Sequence, residues 1–280
     1  NPYSVNETNY LVKLLQVKGQ NKYGVYFVHP QETLTYHYER NPKDPRIQHE
    51  FVLKVDEFGH ILRSCSVTYG RRQVTGKELQ EQLKLRVTAV ENIPINRREQ
   101  GTYLFGIPQE NKAYEIESLS LQSGEQYFTF AEVDKYLDRV IGTSSARLLS
   151  WQRHYYWDTD KNQPHPLGQV SPQALLARTE VAEFDPEQTK QVFTDILSQE
   201  RLNDLLANEG KYQQYTDNLV ANPYWWNPGL QESYLDATQF FLPKSTTDPY
   251  GNATTYEYDR YYLLPVTVTD ALNNQTVVQK

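Results

Sequence analysis

Glu115 and Glu117 lie two residues apart, where strand alternation would set both carboxylates on one side. Two carboxylates flanking one bond are what glycoside hydrolysis requires, one as acid and the other as base or nucleophile. In an acidic chain the same spacing arises on any solvated strand face, and that reading explains the pair better. Asp158, Asp160 and Asn162 alternate like the opening of a calcium loop. The sixth position is Gln163, where the loop needs glycine, and the twelfth is Gln169, where it needs glutamate, so an EF-hand is rejected and only a looser calcium site stays open. The histidines, His29, His37, His49, His60, His154 and His165, contain no His-x-x-x-His pair, and Cys65 has no partner cysteine. No Gly-x-Ser-x-Gly, phosphate loop or Gly-x-Gly-x-x-Gly occurs, so no catalytic, cofactor-binding or metal-ligating residue is assigned. Tyr224-Trp225-Trp226, between Pro223 and Pro228, is the densest aromatic cluster. It reads as a core plug or sheet corner, because bulky rings beside prolines anchor loops; the competing reading is a sugar-binding platform.

The elements that carry these residues are punctuated by a recurring turn. Asp248-Pro249-Tyr250-Gly251 suits a type I turn, with Asp at the first position, Pro at the second and Gly at the fourth. Asp270-Ala271-Leu272-Asn273 repeats it 22 residues later, with Asn273 replacing glycine. Asparagine is the next most tolerant residue for left-handed backbone. Between the turns, 253–268 is rich in Tyr, Thr, Leu and Val, as paired strands are. An earlier, degraded copy exists. Tyr36-His37-Tyr38-Glu39-Arg40 matches Tyr256-Glu257-Tyr258-Asp259-Arg260, and 52–60, with its Asp56–Gly59 turn, matches 266–274. A loop, 41–48, is inserted in the first copy. A period of about 20 residues points to stacked supersecondary units rather than to a catalytic pocket.

This unit resembles the Rhs/YD repeat, whose Tyr-Asp step is here Tyr258-Asp259. The strings 23–30, 36–47 and 55–59, together with His154-Tyr155-Tyr156-Trp157, Leu167-Gly168 and Asn222-Pro223-Tyr224-Trp225-Trp226, resemble the middle region of the B component of bacterial insecticidal toxin complexes. The likeness is good over roughly 20–70 and 145–280 and loose between them. It implies that 1–240 is the B-component middle region and that 241–280 begins the Rhs/YD repeats. It also implies a hollow β-shell, closed with a C component, that encloses a toxic enzyme. The implied partners are that C component and its toxic domain, with the A component reached through the remainder of the B chain. The implied location is outside the cell, after assembly in the bacterial cytoplasm.

Composition sets the outer limits. The 280 residues suffice for one large β-domain or two smaller ones. Mean hydropathy is −0.73, and no apolar run approaches the ~20 residues of a membrane-spanning helix. A net charge of −7 argues against general nucleic-acid binding. Cys65 reads as a small buried thiol, and a single cysteine suits assembly in a reducing compartment. The start at Asn1, the absence of methionine and the stop within a repeat are expected of a fragment cut from a longer protein. The 22 tyrosines suit half-buried strands of two-faced sheets. They also keep a second function class open, a carbohydrate-binding β-module or accessory domain.

Strands are predicted over 9–18, 23–29 (ended by Pro30), 34–39, 50–56, 60–69, 84–90, 102–107, 112–121, 146–157 and 261–269. Short helices are predicted over 77–83 and after Thr129-Phe130-Ala131-Glu132, a capping box. A longer helical segment starts at Asp185 with Pro186 and Gln188, carries a stripe of Val192, Phe193, Ile196 and Leu197, breaks near Ser198, and ends with Gly210 just past the helix. The expected fold is therefore mainly β, a large curved antiparallel sheet of hairpins with helical insertions near 130–140 and 186–209. The expected function is structural and non-catalytic.

Overall fold

The computed structural model describes residues 2–39, 41, 43–72, 76, 79–99, 101–193, 195–215 and 224–278; for 186–188 it describes the backbone. Arg40, Pro42, Lys77, Glu78, Asn222 and Pro223, which figure in the predicted motifs, lie outside the described residues, as do the side chains of Pro186 and Gln188.

The chain is mainly β. Its strands are β1 (Ser4–Gln16), β2 (Val25–His37), β3 (Arg46–Val55), β4 (Ile61–Tyr69), β5 (Arg86–Glu99), β6 (Thr102–Ile116), β7 (Ala146–Tyr156) and β8 (Leu176–Phe184). They continue with β9 (Gln213–Gln214), β10 (Trp225–Asn227), β11 (Gln231–Tyr234), β12 (Pro243–Thr247), β13 (Ala253–Tyr258), β14 (Pro265–Thr269) and β15 (Gln275–Val277). The helices are α1 (Phe130–Val140), α2 (Pro186–Phe193) and α3 (Gln199–Asp204). The strands form one antiparallel sheet that does not close on itself, ordered β1 to β8 and then β11 to β15, with β10 on β8 and β9 on β10. Helical insertions fall where the sequence puts them. The chain divides into two compact units, Asn1–Pro94 with Asn111–Leu149, and Ile95–Glu110 with Ser150–Lys280.

In the first unit, strand alternation builds the core. Ile47, His49, Phe51 and Leu53 of β3 are buried while Arg46, Gln48 and Glu50 face outward. Cys65, Val67 and Tyr69 of β4, Val87 and Ala89 of β5, and Tyr114 and Ile116 of β6 continue this one-sided face. Helix α1 covers it with Val133 and Leu137, a one-turn pair with no exposed surface. Its start follows the capping box: the Glu132 N–H donates to Thr129 Oγ1 (3.4 Å), and the Thr129 N–H donates to Glu132 Oε2 (2.7 Å).

Several predicted boundaries are corrected. Pro30 does not end a strand; β2 runs through it. The register slips there, with Tyr10 opposite Pro30 and Asn9 opposite Glu32, while β2 pairs with β3 only from Glu32 onward. Pro30 therefore sits at a bulge on a locally free edge, where its missing N–H costs least. The segments 102–107 and 112–121 are parts of one strand, β6, which passes through Gly106 at φ 69° and ends at Ile116. The helix at 77–83 reduces, among described residues, to a 3-10 turn over Gln80–Gln82.

In the second unit, the segment after Asp185 splits at Ser198, whose side chain caps α3 by accepting from the Arg201 N–H (3.2 Å). Of the predicted stripe, Val192 and Ile196 are exposed while Phe193 and Leu197 are half-buried; beyond the break, Leu202 is buried. Gly210 is not left-handed (φ −80°); Lys211 takes that conformation at φ 59°. Glycine is needed at 210 for space, since a Cβ there would stand 2.8 Å from the Tyr212 ring and 3.0 Å from the Leu206 carbonyl oxygen. Residues 261–264 are not the start of a strand: β14 begins at Pro265 and is paired on both sides, by β13 and β15. Among the described residues, β1, β9 and β15 each pair with a single strand.

Candidate functional site

The recurring feature of the chain is a hairpin turn built around an aspartate. At Asp248 the Gly251 N–H donates to the Asp248 carbonyl (3.0 Å), and the Asp248 N–H donates to the Asn252 carbonyl (2.9 Å). Asp248 Oδ1 accepts from the N–H of Tyr250 (2.9 Å) and Asn252 (2.8 Å), and Oδ2 accepts from Asn252 Nδ2 (2.9 Å). Gly251 sits at φ 89°. This is a type I turn closed by a left-handed residue, which matches the twist of the flanking strands.

Asp270 reproduces it contact for contact. Its Oδ1 accepts from Leu272 (2.9 Å) and Asn274 (2.8 Å), its Oδ2 from Asn274 Nδ2 (2.8 Å), and Asn273 is the left-handed residue at φ 65°. Asp56 does the same in the first unit, with Phe58 (2.9 Å) and His60 (2.8 Å) as donors, His60 Nδ1 beside Oδ2 (2.9 Å), and Gly59 at φ 96°. These hydrogen bonds hold the Asp248 and Asp270 carboxyls below the usual carboxylate range, first through the Asn252 and Asn274 side chains.

Two further turns lack the glycine signal. Asp259 accepts on Oδ1 from the N–H groups of Leu263 (2.8 Å) and Leu264 (3.3 Å), with Tyr262 left-handed at φ 56°. Asp158 accepts from the Asn162 N–H (2.8 Å), with Lys161 at φ 57°. The calcium-like alternation at 158–162 thus belongs to a turn whose aspartate caps backbone. Among the described residues no group of three or more His, Cys, Asp or Glu side chains could hold a metal ion.

The repeat tyrosines sit on the strands between these turns. Tyr256 and Tyr258 lie on β13, where Tyr256 pairs with Val268 and the Tyr258 hydroxyl donates to the Pro243 carbonyl (2.8 Å). Tyr36 lies on β2 opposite Ile47, and Tyr38 follows the strand with its ring 6.3 Å from that of Tyr36. The structure thus places both tyrosine pairs at the C-terminal end of a strand that precedes a turn. The two pairs belong to different units.

The residues with possible chemistry are otherwise engaged. Glu115, on β6, and Glu117, just past its end, both face the guanidinium of Arg147, Glu117 at 3.9 Å. Cys65 is buried, and burial pushes its thiol up to about 12, so it stays protonated. Trp225 and Trp226 are buried on β10. Neither offers the flat exposed ring that a sugar platform needs.

Sequence reading missed what those rings surround. Arg153 on β7 is 6% exposed and lies between two indoles, 4.4 Å from the Trp151 ring centre and 4.3 Å from that of Trp226. Glu110 faces it at 3.7 Å and accepts from Trp151 Nε1 at 2.7 Å. Beside it on β8, Glu180 has no exposed surface. Its Oε1 accepts from Arg178 Nε (2.8 Å) and the Tyr215 hydroxyl (2.7 Å), and its Oε2 has no hydrogen-bond partner. The only sequence signal was the alternation of Trp151 with Arg153 and of Arg178 with Glu180 on strands rich in aromatics. These buried charges and rings belong to the second unit.

The fold is shared with solved toxin-complex structures, and part of the chain matches a toxin family. Residues 1–120 match the family described as insecticide toxin TcdB, middle/C-terminal region. Solved structures share the fold across 99% of the chain. Among them are TcdB2-TccC3 (TM-score 0.76, 23% identity), TcdB2-TccC3-Cdc42 (0.75, 23%) and a Photorhabdus luminescens Tc holotoxin pore (0.76, 22%). The chain spans 15% of the first two solved chains and 14% of the third. No curated protein matches it. These matches support the resemblance read from 23–59: residues 1–120 are similar to a middle to C-terminal region of a Tc-toxin B component, and the whole chain shares the fold of the solved toxin complexes.

Proposed function

We propose that this chain is a non-catalytic wall segment of an insecticidal toxin shell, which encloses a toxic enzyme together with a C component. The observation that carries the proposal is the fold shared across 99% of the chain with a protein solved as TcdB2-TccC3. The mechanism is steric. Antiparallel hairpins joined by self-contained turns extend a sheet without leaving internal edges, and such a wall separates its contents from solvent. The remainder of the B chain would meet the A component, and the assembled complex would be exported after assembly in the bacterial cytoplasm.

The test is co-expression of the whole protein carrying this chain with a C component. A stable complex in which the C component's terminal region resists added protease supports the reading. A C component digested equally fast with and without the protein sinks it. Non-catalysis is tested separately on glycoside, ester, phosphate and peptide substrates. Turnover that disappears in Glu115→Gln or Glu117→Gln, with the fold retained, would replace the structural reading with an enzymatic one.

A further inference from the structure

His49 stands apart from the repeat turns. It lies on β3, is 2% exposed, and packs its ring 3.9 Å from that of Phe51. A buried histidine needs partners for both nitrogens. On one side, Nδ1 is 3.2 Å from the Tyr69 hydroxyl on β4. That hydroxyl accepts from the Phe128 N–H at 3.0 Å, in the segment leading into α1. With Tyr69 donating its one proton to His49 Nδ1, the proton of a neutral His49 is assigned to Nε2, on the side of Glu32. On the other side, Nε2 has no hydrogen-bond partner; Glu32 Oε2 on β2 stands 3.5 Å away, while Glu32 Oε1 accepts from Asn9 Nδ2 at 3.2 Å.

We propose that His49, Tyr69 and the Phe128 amide form an acid-released clasp that holds the 125–130 segment and the start of α1 on the sheet while His49 is neutral. Protonation turns Nδ1 from acceptor into donor. Tyr69 Oη would then face two donors, His49 Nδ1–H and Phe128 N–H, while its own proton lost its acceptor. The two donors then crowd one oxygen, and the loop amide is the partner not fixed in a strand.

The surrounding charges do not rescue the charged form. Glu32 on β2 draws the pKa up, as does Glu50, which follows His49 on β3 but faces outward. Glu7 on β1 lines the same cleft of about 400 Å³. Tyr69 and Cys65 on β4 stay protonated, and Tyr127 carries Arg72 over its ring at 4.9 Å. Burial pulls the other way and wins, so His49 is held below its ordinary value. The sign follows: the clasped state binds a proton less well than the released one. Its stability is therefore complete above the ordinary histidine value and is lost as pH falls below that toward the lower, clasped-state value.

The test is hydrogen exchange on the whole chain at pH 7.5 and 5.5, each corrected for the intrinsic rate. In the native protein, protection of the Phe128 amide should fall at pH 5.5 while β3 amides hold. In His49→Gln, which keeps an acceptor for Tyr69 and cannot charge, protection should be independent of pH. In Tyr69→Phe it should be low at both. Unchanged protection in the native protein, or the same loss in His49→Gln, overturns the clasp. If the variants fail to fold, the native ring resonances decide. A His49 midpoint below the ordinary value that coincides with loss of Phe128 protection supports it; a midpoint at or above that value overturns it.

Discussion

Asp248 and Asp270 occupy the same place in successive hairpins: each Oδ1 accepts the backbone N–H groups two and four residues on, at 2.9 and 2.8 Å in both cases. One carboxylate replaces the backbone partners that a tight reversal leaves unpaired, so each turn is complete within five residues. A turn that needs nothing from its surroundings can recur wherever a strand must reverse.

Because both carboxyls are held below their ordinary range, the hairpins gain stability above the unfolded carboxylate pKa near ~3.9 and lose it as pH falls through the lower, folded value. Acid should loosen β12 to β15. Hydrogen exchange of the Tyr250 and Leu272 amides from pH 5 to 2.5 should show loss of protection in the native chain, and a flatter profile in Asp248→Asn with Asp270→Asn. Identical profiles would remove the carboxylate from the account.

The left-handed positions make a graded test. Gly251→Val should cost roughly 1–3 kcal/mol through backbone strain alone, because a side chain there meets nothing within 4 Å. Gly59→Val should cost more, because its Cβ would also stand 2.9 Å from the Phe27 ring. Asn273→Gly should be neutral or stabilising. Urea denaturation midpoints that place Gly59→Val at or below Gly251→Val would contradict the ordering.

Leu137 of α1 has no exposed surface and lies in the core with Val133. Leu137→Ala should destabilise the first unit by about 2–5 kcal/mol, through lost burial and the cavity left behind. A loss below about 1 kcal/mol by denaturant titration would mean that the helix is not seated on the sheet in solution.

Arg153→Ala removes the cation between two indoles and leaves Glu110 buried without it, which should cost about 3 kcal/mol or more. Arg153→Lys keeps the charge but not the planar stack, so it should fall between. Tryptophan fluorescence should shift with unfolding at a lower temperature in both, in that order. Equal melting of the alanine and native proteins would show that the stack adds no net stability.

How much of this was legible depended on whether a position announced its backbone. Asp56–Gly59 and Asp248–Gly251 could be read because glycine marks a left-handed residue, and Asn273 is the usual substitute. Asp259–Leu264 could not, because Tyr262 takes the same conformation with a side chain common in strands, so 261–264 reads as part of a strand. Thr129 and Glu132 announced α1 through a purely local motif. The run of β2 through Pro30 was hidden, since only the slip in pairing with β1 makes proline tolerable there. The Arg153 stack and the His49 relay join residues 75 and 79 positions apart at their extremes, Trp151 to Trp226 and His49 to Phe128, and no local pattern encodes such distances.

In β1 to β5, and again in β11 to β15, each strand lies beside the one that precedes it in the chain. Each new strand therefore closes only a short loop onto a neighbour already made, and the entropy of closure stays small at every step. Such a wall can be laid down in the order in which it is synthesised. Each finished hairpin offers a template edge to the next while the rest of the chain is still on the ribosome.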